Sequence, residues 1–109
     1  MSKQKLDKLF KHWVEKYIEI VKIQKGVTGT IKEFDYYYPK FNKLITIALG
    51  LEDIRKDNLF NPLQKIEILQ ELIIKEIDKH ISLGTEYHKA YEEIRKSVQE
   101  KANEIKSNR

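Results

Sequence analysis

Apolar residues recur along this chain at spacings of three and four, interrupted by glycine, proline and threonine. In the first stretch, Leu6, Phe10, Trp13, Tyr17 and Ile20 form such a stripe, and Leu9, Val14 and Val21 widen it. This is the apolar face of a helix running from about Lys3 to Lys25. Ser2 is placed to cap its start and Gly26 to end it. A second stripe uses Ile31, Phe34, Tyr38, Phe41, Ile45 and Ala48. Thr30 and Glu33 are spaced as a capping box, in which each side chain satisfies the other's backbone N–H. Pro39 falls inside this stripe, where it removes a donor and crowds the preceding turn. The second helix is therefore expected to be kinked or broken at Pro39, with the continuous apolar phase pointing to a kink. Gly50 closes it.

The longest connection covers 51–61. Asn61 before Pro62 is a helix-start signal, because asparagine caps and proline fits the first helical position. From Pro62 to about Leu83 the residues Leu63, Ile66, Leu69, Leu72, Ile73, Ile74, Ile77 and Ile81 cover roughly 200° of a helical wheel at ~100° per residue. An arc that wide needs two neighbours, or one neighbour and a partner chain. Gly84 then offers a stop and Thr85 a cap. The fourth stripe is Tyr87, Tyr91, Ile94, Val98, Ala102 and Ile105, with a flexible tail from about Lys106. Short connections after the first and third segments predict an all-α, antiparallel four-helix bundle occupying 1–109 as a single domain. One bent helix running through Gly84 is the rival arrangement.

Composition removes several classes of chemistry. The 109 residues contain no cysteine, which excludes disulfides, thiolate metal sites and a cysteine nucleophile. No long apolar run marks a secretory leader or a membrane span, so a cytoplasmic protein without membrane insertion is expected. A di-iron bundle needs Glu-x-x-His on two helices. That motif does not occur; Glu76 with His80 and His12 with Glu15 are isolated pairs, so neither a metal nor another cofactor is expected. His80 sits where it complements the C-terminal dipole of the third helix. No nucleophile, base and orienter share a readable spacing, and the chain reads as non-catalytic. The Gly26 to Thr30 loop has no preceding strand and no Gly-Lys-Ser/Thr ending, so it reads as a helix–helix turn and not a phosphate loop. Lysine far exceeds arginine, which occurs only at Arg55, Arg95 and Arg109; with many isoleucines and asparagines this is the composition of an AT-rich genome, that of a low-GC bacterium or a mobile element.

Two uneven features remain. Tyr36, Tyr37 and Tyr38 are consecutive, and helical neighbours point ~100° apart. By the stripe above, Tyr38 faces the core, Tyr37 borders it and Tyr36 faces outward. An exposed phenol suits a protein interface, and with Lys32, Lys40 and Lys43 nearby it also suits a nucleic acid. The second feature is charge. Lys and Arg exceed Asp and Glu by four. All of that excess is matched by the first helix, where Lys3, Lys5 and Lys8 crowd an N-terminus whose dipole disfavours cations. In an up-down-up-down bundle Lys101, Lys106 and Arg109 join that end, while Glu52, Asp53 and Asp57 are placed to neutralise it.

The candidate binding residues are thus Tyr36, Tyr37, Lys40, Lys43, Lys3, Lys5 and Lys8. The first reading is a small protein-interaction or regulatory module, with a protein partner and a homodimer as one form of it. The second is a nucleic-acid-binding accessory protein, whose affinity would fall with salt. The third is an immunity or toxin-neutralising protein, since size, basicity and four-helix form resemble the immunity proteins of small bacteriocins.

Overall fold

The computed structural model describes residues 3–26, 32–50 and 62–107, with side chains over 4–26, 36–50 and 64–105. Four helices account for nearly all of them: α1 (Lys3–Lys25), α2 (Lys32–Leu49), α3 (Pro62–Leu83) and α4 (Tyr87–Ser107). There is no strand among the described residues. Helix α1 packs chiefly against α3 and α2, and α4 against α3 and α2, while α1–α4 and α2–α3 meet across the middle. The long axis is 47 Å and the cross-section 25 × 23 Å, which is the width of two helices stacked on two at ~10–12 Å each. None of the described helices is long and apolar enough to cross a membrane. The expected caps at Ser2, Thr30 with Glu33, and Asn61, the whole 51–61 connection with its acids Glu52, Asp53 and Asp57, and the side chains of Lys3, Ile31, Lys32, Phe34, Leu63, Lys106 and Arg109 lie outside the described residues.

One apolar core joins all four helices. Its fully buried centre includes Leu6, Phe10, Val14 and Val21 from α1, Phe41 and Ile45 from α2, Leu69, Ile73 and Ile77 from α3, and Ile94, Val98 and Ala102 from α4. These follow the stripes read from the sequence, with two shifts. In α1 the buried line also takes Ile18, while Trp13 and Ile20 move to its border. In α2 the order of the tyrosines is inverted. Tyr37 is buried and Tyr38 only half-buried, so the core line is Tyr37, Phe41, Ile45, Ala48 and Leu49. The reason is on α1: the Tyr17 ring meets Tyr37 and Phe41 edge-on at 5.3 and 5.2 Å, and that three-ring contact needs Tyr37 inward. Tyr38 instead lies beside Phe10 at 5.8 Å.

The wide arc of α3 is consumed inside the chain. Leu69, Ile73, Ile74 and Ile77 are buried, and Ile66, Leu72 and Ile81 pack on the same core. Of the apolar residues described on this helix, Ile68 and Leu83 remain exposed. The two neighbours are α1 and α4, so the arc gives no broad apolar face to a second copy.

Helix α2 is continuous through Pro39 and is not broken there. Helices α3 and α4, by contrast, are two helices that pack on each other, not one bent helix. Gly84 separates them at φ 66°. Its N–H donates to Ile81 C=O at 3.2 Å, and Thr85 N–H donates to His80 C=O at 3.1 Å. This pair of bonds is a Schellman stop, which needs the left-handed conformation that glycine adopts without strain. Thr85 does not cap α4 as its position suggested. Its hydroxyl is turned back to His80 Nδ1, 3.0 Å away. Glu86 takes the cap instead: its carbonyl accepts from Ala90 N–H at 2.8 Å and its carboxylate accepts from Lys89 N–H at 3.0 Å. Slight desolvation opposes ionisation of Glu86, but the N–H bonds from Lys89 and His88 outweigh it and hold the carboxyl below its ordinary range. The next N–H, that of Tyr87, donates to Gln24 Oε1 at 2.7 Å, while Gln24 Nε2 donates to Thr85 C=O. The last turn of α1 thereby ties down the α3–α4 turn.

Candidate functional site

Three of the residues singled out on α2 come together on the surface. Tyr36, Lys40 and Lys43 lie on successive turns with Pro39, Leu44 and Ile47, and they line a groove of about 400 Å³ that Tyr91 of α4 closes on its far side. Helical spacing explains the set, because positions 36, 40, 43, 44 and 47 share one face of α2. Tyr36 and Ile47 are 58% and 64% exposed, so the groove is flanked by two large apolar groups that the fold leaves in water.

Lys40 organises the groove. Its Nζ lies 4.3 Å from the Tyr91 ring centroid, 5.1 Å from Tyr36 and 5.8 Å from Tyr37. It also donates to the Tyr36 hydroxyl at 3.4 Å. An ammonium held over ring faces is attracted by their quadrupoles, by about 0.5–1 kcal/mol at exposed sites. Tyr36 further meets Tyr37 edge-on at 4.9 Å. Neither Lys40 nor Lys43 has an ion-pair partner among the described residues. Glu92 of α4, whose charge interacts with that of Lys40, is paired with Arg95 at 2.7 Å. The Arg95 guanidinium holds the Glu92 carboxyl below its ordinary range, chiefly by hydrogen bonding, with Lys40 a lesser contributor. Burial, aided by the charge of Glu92, pushes the Tyr91 phenol above its ordinary value.

The remaining candidates fall elsewhere. Tyr37 is under the groove and not in it: it is buried against Tyr17. Lys5 and Lys8 are exposed near the start of α1 and do not line the groove. Lys101, assigned from the sequence to the same basic end, pairs with Glu104 at 3.5 Å. Tyr91 was missed as a site residue, since its α4 periodicity marks it only as apolar. Its juxtaposition with Lys40 is a long-range contact that no local spacing reveals.

Comparison with known protein families, with curated proteins and with solved structures finds no match for this chain. The groove and the engagements of the titratable side chains are the features that bear on function. Among the described residues no group of His, Asp and Glu is arranged to hold a metal ion. His80 is buried between α3 and α4, with Nε2 3.2 Å from Glu93 and 3.6 Å from Glu76. Nδ1 lies within hydrogen-bond distance of the Thr85 hydroxyl, while Nε2 sits within ion-pair distance of both carboxylates without making a hydrogen bond. His80 is thus a clasp joining α3, the turn and α4. His88 is exposed and bound to Glu86 at 3.0 Å, and His12 lies edge-on to Trp13 at 6.0 Å.

Proposed function

We propose that this chain is a cytoplasmic, non-catalytic protein-interaction module whose docking face is the α2–α4 groove. The observation that carries the reading is the groove itself, where two lysines without an ion-pair partner among the described residues are set among Tyr36, Tyr91, Pro39, Leu44 and Ile47. Aromatic anchors, aliphatic floor and charge at the margin are the composition of a binding hot spot. Support for a non-catalytic role comes from the histidines, which are engaged in the α3–α4 clasp, the α4 start and the Trp13 contact. In this reading the helices run alternately up and down, and α2 bends at Pro39 so that its outer face stands proud of the bundle. The contacts Asp7 with Gln70 and Gln24 with Thr85 support α1 and α3 running the same way.

Protein is preferred to nucleic acid as the partner on chemical grounds. Single-strand platforms stack bases on open aromatic faces. Here Lys40 lies over the rings of both Tyr36 and Tyr91, and half of the groove is aliphatic.

Photo-crosslinking tests the reading. A benzophenone amino acid is placed at Ile47, and separately at Gln99, which is exposed on α4 outside the groove. In cells of the source organism, position 47 is expected to give one discrete protein adduct that survives nuclease and disappears with Tyr36→Ala. Position 99 is expected to give none. Identical products from both positions, or none from 47, would overturn the docking face. A nuclease-sensitive product would transfer the case to nucleic acid.

A further inference from the structure

From the shape and charge of the groove we infer that its occupant is an acidic amphipathic helix of about three turns, supplied by a partner protein. The inference rests on the docking face proposed above and specifies what binds there. The lining positions on α2 run from Tyr36 to Ile47, twelve residues of helix, whose ends lie about 16 Å apart at 1.5 Å per residue. A docked helix of 11–14 residues matches that length. The groove lies between two helices, and the described fold offers no strand edge to which an extended peptide could add. Laying an apolar helix face into a groove is a recognition mode that such a surface can serve.

Charge chooses the sign of the partner. Along the stripe the sequence is Tyr36, Lys40, Lys43, with Leu44 and Ile47 continuing toward the end of α2. Among the described residues the two ammonium groups meet no carboxylate within ion-pair distance, and Glu92, next to Tyr91 on α4, is paired with Arg95. A carboxylate entering from solvent can pair with Lys43 without displacing a partner. One reaching Lys40 gains an ion pair while the ammonium keeps its ring contacts. A basic helix would instead face two like charges. Spacing follows: an acid near one end of the docked helix faces Lys40 and Lys43, and apolar residues three or four positions further on meet Leu44 and Ile47. Tyr91 supplies the opposing wall.

The test is selection from a displayed library of 14-residue amphipathic helices, random in charge, against the intact protein at 0.15 M salt. Enriched sequences are expected to carry net negative charge together with an i, i+3 or i, i+4 apolar pair. Their binding is expected to fall at least tenfold with Lys43→Glu and further with Lys40→Glu/Lys43→Glu. NMR shift changes are expected at 36–47 and at Tyr91. Lys43 is exposed and has no ion-pair partner among the described residues, so its variant keeps the fold and guards against misreading an unfolded double variant. Enrichment of neutral or basic helices that still map to the groove would overturn the acidic occupant and leave the docking face standing. Binders that map elsewhere, or no enrichment at all, would overturn both.

Discussion

Replacing Tyr17 with phenylalanine separates two contributions that one side chain makes at the centre of the bundle. The Tyr17 ring packs edge-on against Tyr37 and Phe41, and its hydroxyl donates to the Tyr87 carbonyl at 2.9 Å. Phenylalanine keeps the ring and loses the bond. The Tyr87 carbonyl retains its helical bond within α4, so no acceptor is stranded. The expected loss at pH 7 is about 1 kcal/mol, which for a domain of this size lowers Tm by roughly 4–8 °C. The pH dependence is more diagnostic. Burial, with the neighbouring Tyr37 and Tyr91 phenols and Glu86 adding to it, pushes the Tyr17 phenol far above its ordinary value. The unfolded chain then releases this proton near pH ~10 while the folded chain holds it. Unfolding is therefore favoured as pH rises past ~10, by up to about 1.4 kcal/mol per pH unit. The phenylalanine variant has no such proton. The wild type should be the more stable below pH ~10, and the two curves should cross near pH ~10.7, where RT ln(1 + 10^0.7) has consumed the 1 kcal/mol. Urea unfolding at intervals from pH 7 to 11.5 measures both. Parallel curves over that range would mean that Tyr17 ionises equally in both states, and the buried, bonded phenol would have to be abandoned.

Other substitutions test the joints of the fold. Gly84→Ala meets no atom within 4 Å, so its cost is the left-handed backbone alone, about 1–2 kcal/mol by chemical unfolding; Gly84→Asn should cost less. His80→Leu leaves the Thr85 hydroxyl and the Glu76 and Glu93 carboxylates facing an apolar side chain, and should destabilise by about 1–3 kcal/mol, with hydrogen exchange accelerated first around the 84–86 turn. An unchanged exchange pattern there would remove the clasp. Lys43→Glu, at an exposed position with no ion-pair partner among the described residues, should alter stability by less than about 0.5 kcal/mol; a larger change in Tm would reveal a structural partner.

The helices were legible because their signals are local. The glycine stops and the Asn61-Pro62 pair delimit stretches that coincide with α1 and α3, and three- and four-residue spacings name most of the core. What was not legible depends on partners far along the chain. The stripe through Tyr38 and the stripe through Tyr37 fit Phe41 about equally well at ~100° per residue; the choice is made by Tyr17 on another helix. Thr85 outranks Glu86 as a cap by propensity, yet its hydroxyl is drawn to His80 and the cap moves one residue on. The candidate groove was half visible: Tyr36, Lys40 and Lys43 share a face that periodicity exposes, whereas Tyr91 enters from α4. The width of the α3 arc allowed either two neighbours or an outside partner, and only the packing of α1 and α4 decides between them.

The aromatic contacts form an unbroken series from the centre of the protein to its surface. Tyr17 touches Phe41, Phe41 touches Tyr91 at 5.5 Å, and Tyr91 carries Lys40. The groove is an outcrop of the core, not an appendage to it. The Tyr91 wall rests on the fully buried Phe41 ring, so a ligand meeting it spends little on ordering that side chain. The same continuity complicates any alanine scan. Truncating Phe41, which no ligand in the groove can reach through Tyr91, would let Tyr91 sag and weaken binding as effectively as removing a contact residue. An interface map drawn from binding losses alone would then extend into the interior, and only a parallel measurement of each variant's unfolding would return it to the surface.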